Sequence, residues 1–260
     1  MRWARYEQGG AVHHGQVQGE QVLEIDGLPW GEHRPTGRRA ALSAVRLLAP
    51  VVPPTFYAAG LNYTQHLKHY AALGGPGAKI PEKPDIGYRA VNALSGPEAP
   101  IVVPRDAGPH VHYEAELVVV IGKTARRLSH ADALSCVFGY TIGNDVSERD
   151  WQKVDRTLWR AKNTDTWKPM GPWIETDVDL AKARTRVRVN GKQTIDFPTG
   201  EMLFDVPTYI SAMTRYVTLH PGDVIWMGTE GVSPDLKAGD VCEIEITGIG
   251  TLRNTLQAGE

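Results

Sequence analysis

Glycine and proline interrupt this chain so often that few long helices can form. Its 260 residues include 27 glycines and 18 prolines, and both residue types are typical of turns and unfavourable inside helices. Between them lie short segments in which apolar and polar residues alternate, whereas helical periodicity is confined to brief stretches. The sequence therefore predicts an α+β fold that is mainly β, with short helices.

The beginning of the chain is predicted to form a small meander of hairpins. Glycine-containing turns separate three short strands, which are expected at residues 2–6, 11–17 and 22–25. Residues 26–54 are polar and broken by proline, which predicts an irregular linker. We therefore expect a small N-terminal β domain with its linker over residues 1–54 and a catalytic domain over residues 55–260.

Charge and hydropathy exclude several classes of partner. The chain has 28 Lys and Arg against 30 Asp and Glu, a formal net charge of -2, so the basic excess of a nucleic-acid-binding protein is missing. No stretch approaches the roughly 20 apolar residues of a membrane span, and residues 1–10 lack the apolar core of a signal peptide. Cys136 and Cys242 lie in apolar segments and are expected to be buried free thiols. These features predict a cytoplasmic protein without a nucleic-acid or membrane partner.

Helix starts and one hairpin can be placed from short motifs. The spacing of Ser129 with Asp132, and of Ser147 with Asp150, is that of a capping box, and the first pair predicts a buried helix over residues 131–138. Asp205 is predicted to cap a further helix. Asn190-Gly191 is typical of a tight hairpin turn.

A long segment without periodicity follows a short helical piece that carries His66 and His69. Residues 73–99 show neither a strand nor a helix pattern and contain the cluster Gly74-Gly75-Pro76-Gly77. Long aperiodic loops inside compact domains often act as lids. We therefore predict a mobile lid here.

Three carboxylates have the arrangement expected of a cation site. Glu114 and Glu116 are two residues apart on a predicted strand, hence on one face, and they lead into an apolar run at residues 117–121 that must be buried. Asp145 stands at a strand-to-helix junction, where functional groups are commonly presented. Oxygen ligands of this kind favour a hard cation, with magnesium fitting best and manganese or calcium able to substitute. By contrast, Glu243 and Glu245 alternate with apolar residues throughout, as in a half-exposed strand.

A different metal site competes for the same segment. His110, His112 and Glu116 resemble the first metal motif of cupins, which would imply iron, manganese or zinc. The second cupin motif needs a histidine soon after a Pro-x-Gly turn, and no histidine follows the turn at His220-Pro221-Gly222. A cupin-like metalloenzyme is therefore a remote alternative.

Together these residues resemble the fumarylacetoacetate hydrolase superfamily, over roughly residues 55–255. The resemblance rests on six blocks in the same order along the chain, namely Gly60–His66, Tyr113–Lys123, Phe138–Asp150, Lys162–Trp173, Asn190–Gly191 and Pro221–Thr229. It implies a β-rich roll of mixed sheets with a small N-terminal β domain, usually assembled as a homodimer.

The resemblance also implies roles for individual residues. It identifies Glu114, Glu116 and Asp145 as the metal ligands and implies that Lys162 lies at the metal site. Thr166 is implied to support this site without being a metal ligand itself. His66 is implied to be the general base. The residues implied to contact the substrate are Tyr63, Arg89, Gln152 and Thr229.

The chain departs from the pattern of the family at the partner of the base. Many members have a glutamate three residues after the helix histidine, and this chain has His69 there. The usual proline after Gly-Thr is Glu230 in this chain, and many members have a lysine at the position of Arg89. Glu230 or Asp235 could then partner His66 from another loop.

The implied function is metal-dependent hydrolysis of a carbon-carbon bond in a small 2,4-dioxo acid, such as an acylpyruvate or fumarylpyruvate, through a metal-bound enolate. The same intermediate serves isomerases or tautomerases of the 2-hydroxyhepta-2,4-diene-1,7-dioate type and oxaloacetate-type decarboxylases. The sequence leaves these alternatives open, and a non-catalytic metal-binding scaffold is disfavoured by the presence of Lys162 and His66.

Overall fold

The computed structural model describes residues 1–64 and 80–260. His66, His69 and the glycine cluster at 74–77 lie outside the described residues. Within these ranges the chain is mainly β with short helices, as predicted. None of the described helices is long and apolar enough to cross a membrane.

The strands and helices are numbered in chain order. The strands are β1 (Arg2–Gln8), β2 (Ala11–Gln18), β3 (Gln21–Gly27), β4 (His33–Ala41), β5 (Arg46–Leu48), β6 (Phe56–Ala59), β7 (Ile86–Tyr88), β8 (Leu94–Ser95), β9 (Ile101–Val103), β10 (Val111–His112), β11 (Ala115–Ile121), β12 (Val137–Asn144), β13 (Ser147–Glu148), β14 (Lys168–Glu175), β15 (Arg184–Val189), β16 (Lys192–Pro198), β17 (Val224–Trp226), β18 (Val241–Ile246) and β19 (Gly250–Ala258). The described α-helices are α1 (Arg149–Val154), α2 (Trp159–Asn163) and α3 (Val206–Thr214).

Two mixed sheets contain most of these strands. The larger has the order β4-β3-β2-β1-β14-β12-β11-β17-β6-β7, with β5 beside β1 and β8 beside β14. The smaller has the order β16-β15-β18-β19-β9. The N-terminal meander is present as predicted, and it continues the larger sheet because β1 pairs antiparallel with β14.

The expectation of an irregular linker over residues 26–54 was wrong. This stretch contains β4, which pairs with β3, and β5, which pairs with β1. Nearly every residue of β4 is exposed. An edge strand obtains its backbone hydrogen bonds from one neighbour and needs no apolar face, so its polar composition resembles that of a loop.

The predicted helix starts have mixed outcomes. Only half of the capping box at Ser129 forms: the Ser129 hydroxyl accepts the amide hydrogen of Asp132, whereas the Asp132 carboxylate accepts from that hydroxyl and not from the Ser129 amide. The helix that follows is only a 3₁₀ turn at Ala133–Cys136, and Phe138 already belongs to β12. The capping box predicted at Ser147 was wrong, because Glu148 caps α1 by accepting the amide hydrogens of Asp150 and Trp151. The Ser147 hydroxyl instead donates to the carbonyl of Asp145 at 2.8 Å.

Two other local predictions are confirmed. The Asp205 carboxylate accepts the amide hydrogen of Thr208 at 2.9 Å and so caps α3. Asn190 and Gly191 both have positive φ, at 53° and 77°, and join β15 to β16, as a tight hairpin with right-handed strand twist requires.

The predicted lid region is partly ordered into strands. Of residues 73–99, the described part from residue 80 contains β7 and β8, which pair with β6 and β14 respectively. Both strands have three residues or fewer, too short for a pattern of alternation to stand out. The rest of the predicted lid lies outside the described residues.

The core of the larger sheet is organised around β11. All seven of its residues are buried, because it lies between β12 and β17 with apolar clusters on both faces. Gly143 of β12 faces the indole of Trp226, where a Cβ atom would lie 2.6 Å from the ring. Glycine at this position lets β11, β12 and β17 pack closely just before Asp145. The rigid pair β11 and β12 thus supports the residues at its end.

Candidate active site at the ends of two central strands

Antiparallel pairing brings the three predicted carboxylates together. In the register of β11 and β12, Ala115 lies opposite Asn144, so the residue before β11 meets the residue after β12. The Asp145 amide donates to the Glu114 carbonyl at 2.9 Å. The carboxylates of Glu114, Glu116 and Asp145 are all buried and offer oxygen atoms within 4.8 Å of one another. We call these three residues the carboxylate centre.

Cationic side chains from four separate segments surround the carboxylate centre. Lys162 Nζ bridges Glu114 Oε2 at 2.6 Å and Asp145 Oδ2 at 2.9 Å. Arg89 approaches Asp145 with a forked pair of nitrogens, the shorter contact being 2.7 Å. Lys168 Nζ lies 2.8 Å from Asp145 Oδ1, and Arg149 Nη1 lies 2.7 Å from Glu114 Oε1.

The carboxylates of the centre have opposite pKa shifts. Burial alone would raise the pKa of Asp145, but Arg89, Lys162 and Lys168 hold it well below the ordinary aspartate value. Burial, together with the neighbouring Asp145 and Glu114, raises the pKa of Glu116 to about 8. The cations therefore compensate Asp145 and leave Glu116 poorly compensated.

The carboxylate centre fits a divalent cation. Among residues 1–64 and 80–260, Glu116 has no ion-pair partner, and it accepts a hydrogen bond from the Gly228 amide at 2.7 Å. A buried carboxylate without a cation is costly, and a bound cation would remove this cost. An all-oxygen set of three carboxylates suits magnesium or manganese. Glu114, Glu116 and Asp145 are the residues that would hold it.

The short helix α2 positions Lys162. The Asp155 carboxylate accepts the amide hydrogens of Arg160 and Ala161 at 3.1 and 3.0 Å and pairs with the Arg160 guanidinium. This caps the first turn of a helix that has only five residues. Lys162, in its last turn, is 5% exposed, and its charge is therefore presented in a largely dehydrated site.

Lys168 is the residue that sequence reasoning missed. It is the first residue of β14, a strand that is buried along most of its length, and its ammonium group donates to the carbonyls of Val146 and Trp167 at 2.9 Å each. Burial lowers the pKa of Lys168 to about 8, although Asp145 opposes this. A lone lysine next to the apolar residues Trp167 and Met170 was the signal that could have revealed it.

Arg149, at the start of helix α1, also belongs to the site. Its guanidinium contacts Glu114, and it donates to the amide oxygen of Gln152 at 2.8 Å and to His112 Nδ1 at 3.0 Å. Gln152 is half-buried. Helix α1 thus holds Arg149 and the predicted substrate residue Gln152 against each other beside the carboxylate centre.

The histidines of the cupin alternative form a separate cluster. His110 Nδ1 and His112 Nε2 lie 3.0 and 2.8 Å from Asp235 Oδ1, whereas Glu116 belongs to the carboxylate centre. Because Arg149 can only donate, His112 must accept at Nδ1 and carry its hydrogen at Nε2. His112 therefore links Arg149 to Asp235 and does not share a ligand set with Glu116. Because His66 lies outside the described residues, its predicted pairing with Asp235 or Glu230 stays a prediction.

The remaining predicted residues have the following surroundings. Tyr63 is buried and donates its hydroxyl to the Thr199 carbonyl at 2.7 Å. The Thr166 hydroxyl accepts the amide hydrogen of Val102 at 2.9 Å, so it supports the strand β9. Thr229 is buried next to the half-buried Glu230, whose carboxylate accepts the Gly231 amide hydrogen at 2.9 Å. The roles assigned to these residues, and to His66 and His69, stay predictions.

The fold and the buried carboxylate centre define a fumarylacetoacetate hydrolase-type protein, and comparison with known proteins agrees. Residues 55–257 match the model of the fumarylacetoacetate hydrolase C-terminal family, and residues 1–50 match the Rv2993c-like N-terminal model. The chain belongs to the fumarylacetoacetate hydrolase family. It is 39% identical to the protein Rv2993c of Mycobacterium tuberculosis over 265 residues, which cover 98% of this chain and 97% of the relative.

Solved structures of named enzymes share this architecture. A 5-carboxymethyl-2-hydroxymuconate delta-isomerase from Mycobacterium smegmatis matches all of both chains with a TM-score of 0.90 and 37% identity. A maleylpyruvate hydrolase from Sphingobium sp. SYK-6, in complex with manganese and pyruvate, matches all of both chains with a TM-score of 0.81 and 27% identity. Other matched relatives are named as an isomerase/decarboxylase, a hydrolase and a tautomerase. Family membership therefore indicates enzymatic activity without selecting one of these reactions.

Proposed function

We propose that this protein hydrolyses a carbon-carbon bond in a small 2,4-dioxo acid and releases pyruvate and a carboxylic acid. The observation that carries the proposal is Lys162, a buried ammonium that bridges Glu114 and Asp145 next to the poorly compensated Glu116. Such a group stabilises negative charge that develops on a substrate oxygen in a dehydrated site.

We infer that Glu114, Glu116 and Asp145 hold one divalent cation, with magnesium as the first candidate. Manganese is supported as an alternative by the hydrolase from Sphingobium, whose structure contains manganese and pyruvate. When bound, such a cation supplies Lewis acidity that polarises a substrate carbonyl. Calcium would satisfy the same oxygen ligands.

The side chains of the site then divide the work on the substrate. Lys162 lies where it can stabilise the oxygen of the 2-oxo group as negative charge develops there and on C3. Arg149 holds the amide oxygen of Gln152, so the amide nitrogen of Gln152 remains a donor for a carboxylate or carbonyl of the substrate. Both interactions position the substrate for attack.

Water is the second reactant in the proposed hydrolysis. His66, which lies outside the described residues, takes a proton from water as the water oxygen attacks the C4 carbonyl. The bond between C3 and C4 breaks, its electron pair stays on the pyruvate fragment, and C3 of that fragment is then protonated. The C4 fragment leaves as the carboxylic acid.

Isomerisation or tautomerisation of a 2-oxo acid is the second candidate. It is favoured by the full-length similarity to the delta-isomerase, with a TM-score of 0.90. Proton transfer next to the 2-oxo group needs the same stabilisation by Lys162 and no water. Decarboxylation of a 2-oxo acid would use the same charge stabilisation.

Product analysis separates these reactions. The protein is incubated with a panel of acylpyruvates, a 2-hydroxy-2,4-dienedioate and oxaloacetate, with and without Mg²⁺, and the products are identified by NMR. Pyruvate plus a carboxylic acid from an acylpyruvate supports the hydrolase. Conversion of the dienoate or exchange of the C3 hydrogens of oxaloacetate without bond cleavage contradicts it in favour of the second candidate.

A further inference from the structure

Lys168 is a fixed positive charge within the site. Its side chain is 0% exposed, and its ammonium group is held by the carbonyls of Val146 and Trp167 as well as by Asp145. A lysine that is fully buried in this way keeps its charge only where such partners surround it. With no exposed surface it does not contact the substrate, so its effect must pass through Asp145.

Four cationic side chains lie beside the three carboxylates, so the formal charge of the site is positive before a divalent ion binds. Arg89, Arg149, Lys162 and Lys168 each lie within ion-pair distance of Glu114 or Asp145, and Glu116 has no ion pair among the described residues. The side chains of Arg149 and Lys162 keep 15% and 6% of their surface exposed, through which they can contact an anionic substrate. Lys168 is anchored by two backbone carbonyls as well as by Asp145, so we expect it to stay at Asp145 when a cation binds.

We propose that Lys168 acts as an internal cation that weakens the affinity of the carboxylate centre for a divalent ion, so that the ion binds tightly only together with an anionic 2-oxo acid. This inference rests on the proposed function, because it assumes that the carboxylate centre is the metal site. Like charges repel strongly in a dehydrated site. The negative charge of the acid offsets that repulsion, and the coupling is reciprocal, so metal and acid strengthen each other's binding.

The test is calorimetric titration of Mn²⁺ into the metal-free protein, with and without pyruvate. Lys168→Gln removes the charge but keeps an amide that can donate to the two carbonyls, and Lys168→Met removes both. Lys182→Met is the matched control, because Lys182 is 85% exposed and pairs with Asp179 on the surface. We expect Lys168→Gln and Lys168→Met to bind Mn²⁺ about tenfold more tightly or better, and the control to match the wild type. Pyruvate should raise the Mn²⁺ affinity of the wild type by a larger factor than that of Lys168→Gln.

Two results would overturn the inference. An unchanged Mn²⁺ affinity in Lys168→Gln, or a weaker one in both variants, would mean that Lys168 only supports the fold or orients Asp145. Circular dichroism and thermal unfolding identify a variant that fails to fold, in which case the other variant decides. Absence of Mn²⁺ binding in the wild type and in every variant would reject the metal site itself, and with it both proposals. Binding by the wild type with no gain in the variants rejects the role of Lys168 alone.

Discussion

Glu116 is the member of the carboxylate centre whose charge the described residues compensate least. Its pKa is raised to about 8 by burial and by Asp145 and Glu114, and its hydrogen-bond donor is a backbone amide. Its burial therefore costs free energy of folding unless a cation or a proton is bound. Retention of such a group points to a role in function, since a neutral side chain would be more stable there.

Replacing Glu116 by glutamine should separate metal binding from stability. We expect Glu116→Gln to lower Mn²⁺ affinity by about 10- to 100-fold or more, because loss of a charged ligand should cost at least as much as loss of a residue that only orients a ligand. The metal-free protein should be no less stable than the wild type, because the amide oxygen can still accept from Gly228 and the buried charge is gone. Titration calorimetry and urea unfolding measure the two effects.

Glu243→Gln serves as the control for this variant, because Glu243 is half-exposed on β18 and lies opposite Arg253. Both quantities should stay close to those of the wild type there. A Glu116→Gln protein that kept its Mn²⁺ affinity would place the metal elsewhere.

Lys162 and His66 provide a residue-level test of the reaction class. If the enzyme is a hydrolase, His66→Ala should lower turnover of an acylpyruvate by about 100-fold while metal affinity stays nearly intact, because a general base contributes about this much. If it is an isomerase or tautomerase, Lys162→Ala should cause the larger loss, since the developing negative charge then loses its partner. Full activity in both variants on the best substrate would exclude the proposed roles of both residues.

His69 allows a further test of how the general base works. The family commonly has a glutamate at this position by the resemblance described above, so His69→Glu should raise the rate of hydrolysis if the base lacks a carboxylate partner. Steady-state kinetics with the same acylpyruvate measures the change. An unchanged rate would indicate that another carboxylate already partners the base.

Two short helices, α1 and α2, carry functional side chains. In each of the three described α-helices, a carboxylate accepts amide hydrogens of the first turn. Glu148 caps α1, Asp155 caps α2 and Asp205 caps α3. The six residues of α1 and the five of α2 are too few to be stable alone. Arg149 and Lys162 are thus held in place by capping and by packing on the sheet.

The cap of α3 allows an element-level prediction away from the site. Asp205→Ala should destabilise the protein by about 1 kcal/mol, which corresponds to a decrease in Tm of about 2–4 °C in a chain of this size. Asp205→Asn, which keeps an acceptor, should lose much less. Thermal unfolding at neutral pH measures the difference.

The effect of this cap should also depend on pH. Burial alone would raise the pKa of Asp205, but the hydrogen bonds from Thr208 and the nearby His130 lower it. A lowered pKa in the folded state means that the stabilisation is present above the ordinary aspartate pKa and disappears as the pH falls through the folded-state pKa. The Tm difference between wild type and Asp205→Ala should therefore shrink as the pH falls below about 4, the ordinary aspartate pKa. A constant difference would contradict the role of the ionised carboxylate.

Metal binding should stabilise the whole molecule. A cation that binds only the folded state contributes about 2.7 kcal/mol at a concentration 100 times its Kd, and we expect an increase in Tm of about 5–10 °C. Excess EDTA should reverse it, and Glu116→Gln, which binds the cation more weakly, should show a much smaller increase. Differential scanning calorimetry with Mg²⁺ and Mn²⁺ provides the measurement. Equal shifts in wild type and Glu116→Gln would contradict binding at the carboxylate centre.

Assembly is also a prediction for the whole molecule. The family resemblance predicts a homodimer, so light scattering should give twice the chain mass of 28.5 kDa. A wild-type mass of 28.5 kDa would contradict the dimer.

Some expectations from the sequence failed because different structures share the same local pattern. The exposed edge strand β4 has the polar composition of a loop, and β7 and β8 are too short to show alternation. At the start of α1, the sequence favours Ser147 as the cap, but Glu148 is the cap because the preceding strand β13 ends there. Such decisions come from pairing with distant strands, here β10 for β13.

The sequence by itself determined the strand-rich class, the meander at its start and the hairpin at Asn190-Gly191. These depend on the twofold period of strands and on turn geometry, which are local properties of the chain. The sequence also identified the three candidate carboxylates, but pairing of β11 with β12 brings Asp145 to the glutamates. Only the tertiary structure decided which cations meet the carboxylates. Arg89 reaches Asp145 across 56 residues of sequence, and Arg149 reaches Glu114 across 35. Strand register and sheet order set these contacts and also bury Lys168 beside Asp145. No local pattern of the sequence encodes which distant charges share a dehydrated site.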